Sequence, residues 1–210
     1  MISFNSFNVP TNNLRNWRFR IHCLSATVGK FDAWFNNSGF ALFRPHPLVK
    51  SEGTIGIPAT SDGCIAVASY VSKNSWDSDD GGQQDLRAVV RRSSLFSSLG
   101  PTRDGRWKPE ISAPGQYLTA ALADASELSR ISERAKVSSR LLTIEGTSMA
   151  APVVTGAIAL MLQKKPTLTP IQIKDILQNT AKKDSHTQSS TWTTAYGYGK
   201  LDIIAALNQI

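Results

Sequence analysis

The sequence predicts a layered α/β domain, and three observations predict it. Residues 64–71 form a short apolar, partly β-branched run. Residues 150–162 form a long run of small and apolar residues. From Thr169 onward the chain carries an amphipathic helix with its start signals written out. Strands followed by helices, one of them strongly apolar, is the pattern of a sheet covered by helices.

Each element follows from its residues. Residues 1–16 are polar and interrupted by Pro10, which predicts irregular chain. Arg18-Phe19-Arg20-Ile21-His22-Cys23-Leu24 alternates polar and apolar, a strand period, and residues 30–35 supply the returning strand of a β-hairpin with Gly29 in its turn. Residues 36–51 hold Asn, Gly and two prolines and read as loop. The 64–71 run, bounded by Gly63 and Lys73, predicts a buried strand, and the Asp-, Ser- and Gly-rich residues 72–84 an exposed loop. The 150–162 run is too short to span a membrane and predicts a helix buried all round. Thr169-Pro170-Ile171-Gln172 supplies an N-cap, a proline in the first turn and a glutamine able to close a capping box. Ile171, Ile173, Ile176 and Leu177 make the apolar face of that helix. A polar loop at 185–194, a tight turn at Tyr196-Gly197-Tyr198-Gly199 and a short helix over 202–208 complete the chain.

Composition narrows the function classes. The chain has 210 residues, 41% hydrophobic and 19% charged, which is the make-up of one globular domain or a large piece of one. Residues 1–20 contain no apolar run of signal-peptide or membrane-spanning length, so a soluble chain is expected and no compartment is assigned. The net charge is +7, but the cations are scattered (Arg87, Arg91, Arg103, Lys164, Lys182) and no helix-turn-helix or zinc signature accompanies them. That argues for a solvated surface rather than a nucleic-acid site. Cys23 and Cys64 have neither metal-ligand spacing nor the number a disulfide framework needs. No cofactor and no metal are expected.

The stretch that carries chemistry is Glu145-Gly146-Thr147-Ser148-Met149-Ala150-Ala151-Pro152. Gly146 lets the backbone turn just ahead of the serine. Ser148 then falls at the start of the apolar helix, where free N–H groups and the helix dipole favour a developing negative charge. Pro152 sits in the first turn, where its missing N–H costs little. These residues permit a nucleophile with part of an oxyanion hole. They equally permit Thr147 or Ser148 to be a plain N-cap.

Gly-Thr-Ser-Met-Ala-Ala-Pro resembles the nucleophile signature of the subtilisin-like serine proteases, the subtilases of peptidase family S8. Further blocks resemble that family in its own order: Pro58-Ala59-Thr60 with Ile65-Ala66-Val67-Ala68-Ser69, then Phe96-Ser97-Ser98-Leu99-Gly100-Pro101, then Lys108-Pro109-Glu110-Ile111-Ser112-Ala113-Pro114-Gly115, and last Tyr196-Gly197-Tyr198-Gly199-Lys200-Leu201-Asp202. The resemblance covers about residues 54–207. It implies a subtilisin-like parallel sheet with flanking helices, incomplete on its N-terminal side. Residues 54–210 would be the C-terminal part of the catalytic domain, and residues 1–53 an irregular segment with a hairpin insertion.

The resemblance also implies acyl transfer on a polypeptide substrate, with Ser148 as nucleophile, a histidine as general base and an aspartate orienting it. The family's Asp-[Ser/Thr]-Gly and His-Gly-Thr-His blocks are missing. His22, His46 and His186 start no His-Gly block, and Asp79-Asp80-Gly81 lies in a polar loop rather than at the end of a buried strand. Asn36-Asn37-Ser38-Gly39 superficially resembles the family's oxyanion block, but it follows an aromatic hairpin, and the oxyanion role is not carried onto it here. Ser148 alone is transferred. Two functions follow: a serine endopeptidase domain completed by a separate chain carrying the N-terminal half, or an inactive remnant or binding module.

Overall fold

The computed structural model describes residues 24–25, 27–29, 31–34, 46–130, 133–188 and 191–210. The chain divides into two compact units, Met1–Leu42 and Phe43–Ile210. In the first, residues 18–23 of the predicted hairpin lie outside the described residues, and residues 31–34 are exposed and carry no strand.

The second unit contains seven strands and three α-helices among its described residues. In chain order they are β1 (Val67–Val71), β2 (Ser75–Asp77), β3 (Gln83–Asp85), β4 (Ile111–Gln116), β5 (Leu118–Ala121), β6 (Lys136–Ser138), β7 (Leu141–Ile144), α1 (Thr147–Lys164), α2 (Pro170–Asn179) and α3 (Ile203–Asn208). β1 and β4 pair in parallel, with Val67 opposite Ile111 and Ser69 opposite Ala113. Both edges of this pair are occupied. Ser94 donates to Ser69 O at 2.9 Å and Val71 to Arg92 O at 2.9 Å on one side; Leu201 donates to Ser112 O at 2.8 Å on the other. The outer edge of β1 is thus covered at Ser69 and Val71 by the chain's own next loop, which satisfies their backbone groups.

α1 lies on this sheet and touches β1, β4 and α3. Ala150, Val154 and Met161 join Ile111, Ala113, Ile173, Leu177 and Ala206 in one buried cluster. Burying side chains the size of Val154 and Met161 stabilises by about 1.5–3 kcal/mol each. The helix expected to be buried all round is buried on one face only. Ala151, Pro152, Thr155, Gly156, Ala159 and Leu160 face outward, Leu160 with 45% of its surface exposed. The described chain packs against one side of this helix and leaves an apolar opposite side uncovered.

α2 starts as its sequence predicts. Gln172 N donates to Thr169 Oγ1 at 3.3 Å and Thr169 N to Gln172 Oε1 at 2.9 Å, a closed capping box. Ile173 and Leu177 are buried, but Ile171 is 72% exposed. Two helical residues turn by about 200°, so Ile171 and Ile173 cannot share a face. α3 is capped by Asp202, whose Oδ1 accepts from Ala205 N at 2.9 Å.

The loop expected over 72–84 contains the antiparallel β2–β3 hairpin, with Trp76 opposite Gln84. Its strands have no apolar alternation, which hid them. Trp76 anchors the hairpin: its Nε1 donates to Arg134 O at 2.9 Å and its ring lies 5.6 Å from that of Tyr117. A third sheet, ordered β5-β7-β6, leads into α1 and has no counterpart among the sequence expectations. A buried ion pair closes the C-terminal region: Lys200 Nζ meets Asp184 Oδ2 at 2.6 Å and the Arg91 carbonyl at 2.7 Å. Burial would raise the Asp184 carboxyl, but hydrogen bonds from Lys200 and from the amides of His186 and Thr187 outweigh it and hold the group below the usual carboxylate range.

Candidate active site

Ser148 lies in the first turn of α1 and is exposed. The N-cap is Gly146, at φ +154°, and no side chain caps the helix. Neither Thr147 nor Ser148 is therefore spent as a cap. Gly146 holds a conformation that side chains rarely adopt, and it is fixed in place because its N–H donates to Gly115 O at 2.8 Å. The helix N-terminus thus rests on the end of β4. Gly115 permits the approach: a Cβ there would lie 2.5 Å from Ser69 Oγ, 2.8 Å from Ala150 Cβ and 2.9 Å from Gly146 O.

A cavity of about 220 Å³ opens beside this turn. Thr147, next to Ser148, lines it together with Ile55, Gly56, Ile57, Ala59 and Val67. The wall formed by residues 55–59 is apolar, and one end of it is pinned by Thr54, whose N–H donates to Leu99 O at 3.0 Å while its Oγ1 accepts from Leu99 N at 2.8 Å.

Among the described residues, the Ser148 hydroxyl has no hydrogen-bond partner. His46 is exposed and its Nδ1 accepts from Leu48 N at 3.2 Å; the His186 amide donates to Asp184 Oδ1 at 2.9 Å. Both histidines belong to local turns. Asp80 closes the β2–β3 turn, where the Ser78 hydroxyl and the Gly82 amide hold its carboxyl below the usual carboxylate range. His22, Asn36 and Asn37 lie outside the described residues. Cys64 is a half-buried free thiol. Among the described residues no group of three or more His, Cys, Asp or Glu could hold a metal ion, and no helix is long and apolar enough to cross a membrane.

The parallel β1–β4 pair with α1 packed on it, and the exposed Ser148 at the Gly146 turn, match what the subtilisin-like motifs imply. The comparisons agree: residues 35–199 match the Subtilase family, and the chain belongs to that family. It is 37% identical over 130 residues to the serine protease AprX of Bacillus subtilis (strain 168), covering 62% of this chain and 27% of AprX. It is 35% identical over 160 residues to the subtilisin-like protease SBT4.8 of Arabidopsis thaliana, covering 71% of this chain and 22% of that relative. The CspB protease of Clostridium perfringens superposes with a TM-score of 0.53 at 28% identity, covering 74% of this chain and 28% of that one. The match therefore spans only about a quarter of the length of these two relatives. The family match begins at residue 35, ahead of residue 54 where the motif resemblance starts, and takes in Asn37-Ser38-Gly39.

Proposed function

We propose that this chain supplies the nucleophile half of a serine endopeptidase, with Ser148 attacking the scissile carbonyl to form an acyl-enzyme. The observation that carries the reading is the Gly146 turn: it leaves Ser148 uncapped and exposed at a helix N-terminus that is tied to β4. The attack breaks the peptide C–N bond and forms an ester to Ser148 Oγ; water then cleaves the ester. The serine proton must pass to a base and on to the leaving amine. His46 and His186, the described histidines, belong to local turns, and the reading takes the base from a separate chain that carries the N-terminal half of the domain. The helix N-terminus at Ser148 favours the negative charge that develops on the attacked carbonyl oxygen. The cavity beside Thr147 takes the side chain of the residue whose carbonyl is attacked, and its lining favours an apolar one.

On this reading the completing part docks on the outward face of α1. Its apolar residues are the kind of surface that is normally covered. The test mixes the 1–210 chain with a chain bearing Asp-Thr-Gly and His-Gly-Thr-His blocks. Peptide cleavage and fluorophosphonate labelling should appear, and Ser148→Ala should abolish both. Undiminished cleavage by the Ser148→Ala mixture would sink the assignment.

The unpartnered Ser148 hydroxyl favours a second reading for the chain by itself, an inactive remnant or binding module. In subtilisin, a member of the family, loss of the histidine alone costs roughly 10⁶ in turnover. Hydrolysis of a peptide at ordinary protease rates by purified 1–210, blocked by a serine-directed reagent, would rule this reading out.

A further inference from the structure

The cavity wall beside Thr147 is anchored by buried Ile55 and then lies open over the next three residues. Gly56, Ile57 and Pro58 are exposed, Ile57 at 82%. Thr54 pins its near end. The far end turns through hydrogen bonds from Thr60 N to Gly56 O at 3.3 Å and from Ser61 N to Pro58 O at 2.9 Å. There one side chain from a distant turn reaches in: Arg106 Nη1 donates to Thr60 O at 2.6 Å and to Asp62 Oδ1 at 2.6 Å.

Arg106 comes from residues 102–107, which lie between two of the family-like blocks and belong to neither. This turn is built to present it. Gly105 adopts φ +83° and its amide donates to Thr102 O at 2.9 Å; the Arg106 amide donates to Thr102 Oγ1 at 3.0 Å. Asp104 Oδ2 accepts from Arg106 Nε at 2.9 Å and so fixes the plane of the guanidinium. The ion pair with Asp62 is solvent-exposed and weak in itself. What matters is geometry: a planar fork held on one edge by its own turn has its other edge fixed on the Thr60 carbonyl.

We propose that Arg106 is a positioning residue for substrate selection. It struts the far end of the 55–59 wall through the adjoining Thr60 carbonyl and thereby sets the width of the cavity that receives the substrate side chain. This inference rests on the reading of that cavity as the substrate pocket. Arg106 touches no reacting atom, so its effect falls on side-chain discrimination and not on the chemistry at Ser148.

The test uses the 1–210 chain with Arg106→Ala and Arg106→Lys, and acetylated tetrapeptides that differ only in their last residue, Ala, Leu or Phe. Binding is measured by titration, and amide exchange is followed at Thr60, Ser61 and Cys64. The unaltered chain should separate the peptides by about tenfold or more, the scale at which an apolar pocket reads side-chain size. Arg106→Ala should reduce that separation to about twofold or less and speed exchange at the three amides, with β1 and α1 exchange unchanged. Arg106→Lys, which can reach one acceptor but not form the fork, should recover part of both effects. If the unaltered chain does not separate the peptides, the pocket reading fails. If it does and Arg106→Ala separates them equally well, the role of Arg106 is overturned while the pocket stands.

Discussion

The amide of Gly146 donates to the carbonyl of Gly115 at 2.8 Å, joining the turn before Ser148 to the end of β4. Two positions 31 apart in the chain are thereby made parts of one site. The contact is possible because neither residue has a side chain to separate the strand from the helix.

Gly115→Ala should therefore disturb the serine turn from behind. The added methyl would meet Ser69 Oγ, Ala150 Cβ and Gly146 O at 2.5–2.9 Å, two of them on α1 or its cap. Overpacking of this kind costs about 1–3 kcal/mol. Urea denaturation should show that loss, and labelling of Ser148 in the completed assembly should slow. Unchanged stability and labelling would show that the turn does not depend on this approach.

Gly56→Val should fill the cavity beside Thr147. A Cβ at Gly56 meets nothing within 4 Å, and its backbone is not in the positive-φ region. Stability should change by no more than about 0.5 kcal/mol, as at other surface positions. Binding should shift toward peptides ending in alanine and away from those ending in phenylalanine. An unaltered preference at unaltered stability would remove the cavity from the substrate path.

Asp184→Asn should destabilise the chain and flatten its acid profile. Lys200 would be left buried without its counter-ion, at a cost of about 3 kcal/mol. The Asp184 carboxyl is held below its ordinary value in the folded state. Its contribution is thus complete above about pH 3.9, the unfolded value, and is lost as pH falls through the lower folded value. Melting temperatures of the two proteins should converge as pH drops below about 4. A gap that stays constant down to pH 2 would contradict the assignment.

The outward face of α1 gives the fourth prediction. In the chain alone, α1 amides should exchange readily, and they should gain protection when the chain bearing the Asp-Thr-Gly and His-Gly-Thr-His blocks is added. Ala159→Arg lies on that face and should block the gain while leaving the lone chain's stability within about 0.5 kcal/mol. Strong protection of α1 in a monomer without a partner would show that the face needs no cover.

By itself the sequence determined the elements whose signals are local. The capping box at Thr169 and Gln172, the β-branched run around β1, the short helix over 202–208 and the seven residues about Ser148 are each complete within one turn or one short element, so they are readable in order along the chain. Only the tertiary structure decided what depends on residues far apart. It made Gly146 the cap rather than Thr147 or Ser148, because the Gly115 carbonyl holds that turn. It turned Ile171 outward, left one side of α1 open, formed the β2–β3 hairpin around Trp76 and brought Arg106 to the Thr60 carbonyl. Periodicity records which residues can share a face; which face is covered depends on the partners that the rest of the fold brings to it, and those contacts leave no mark at any single position.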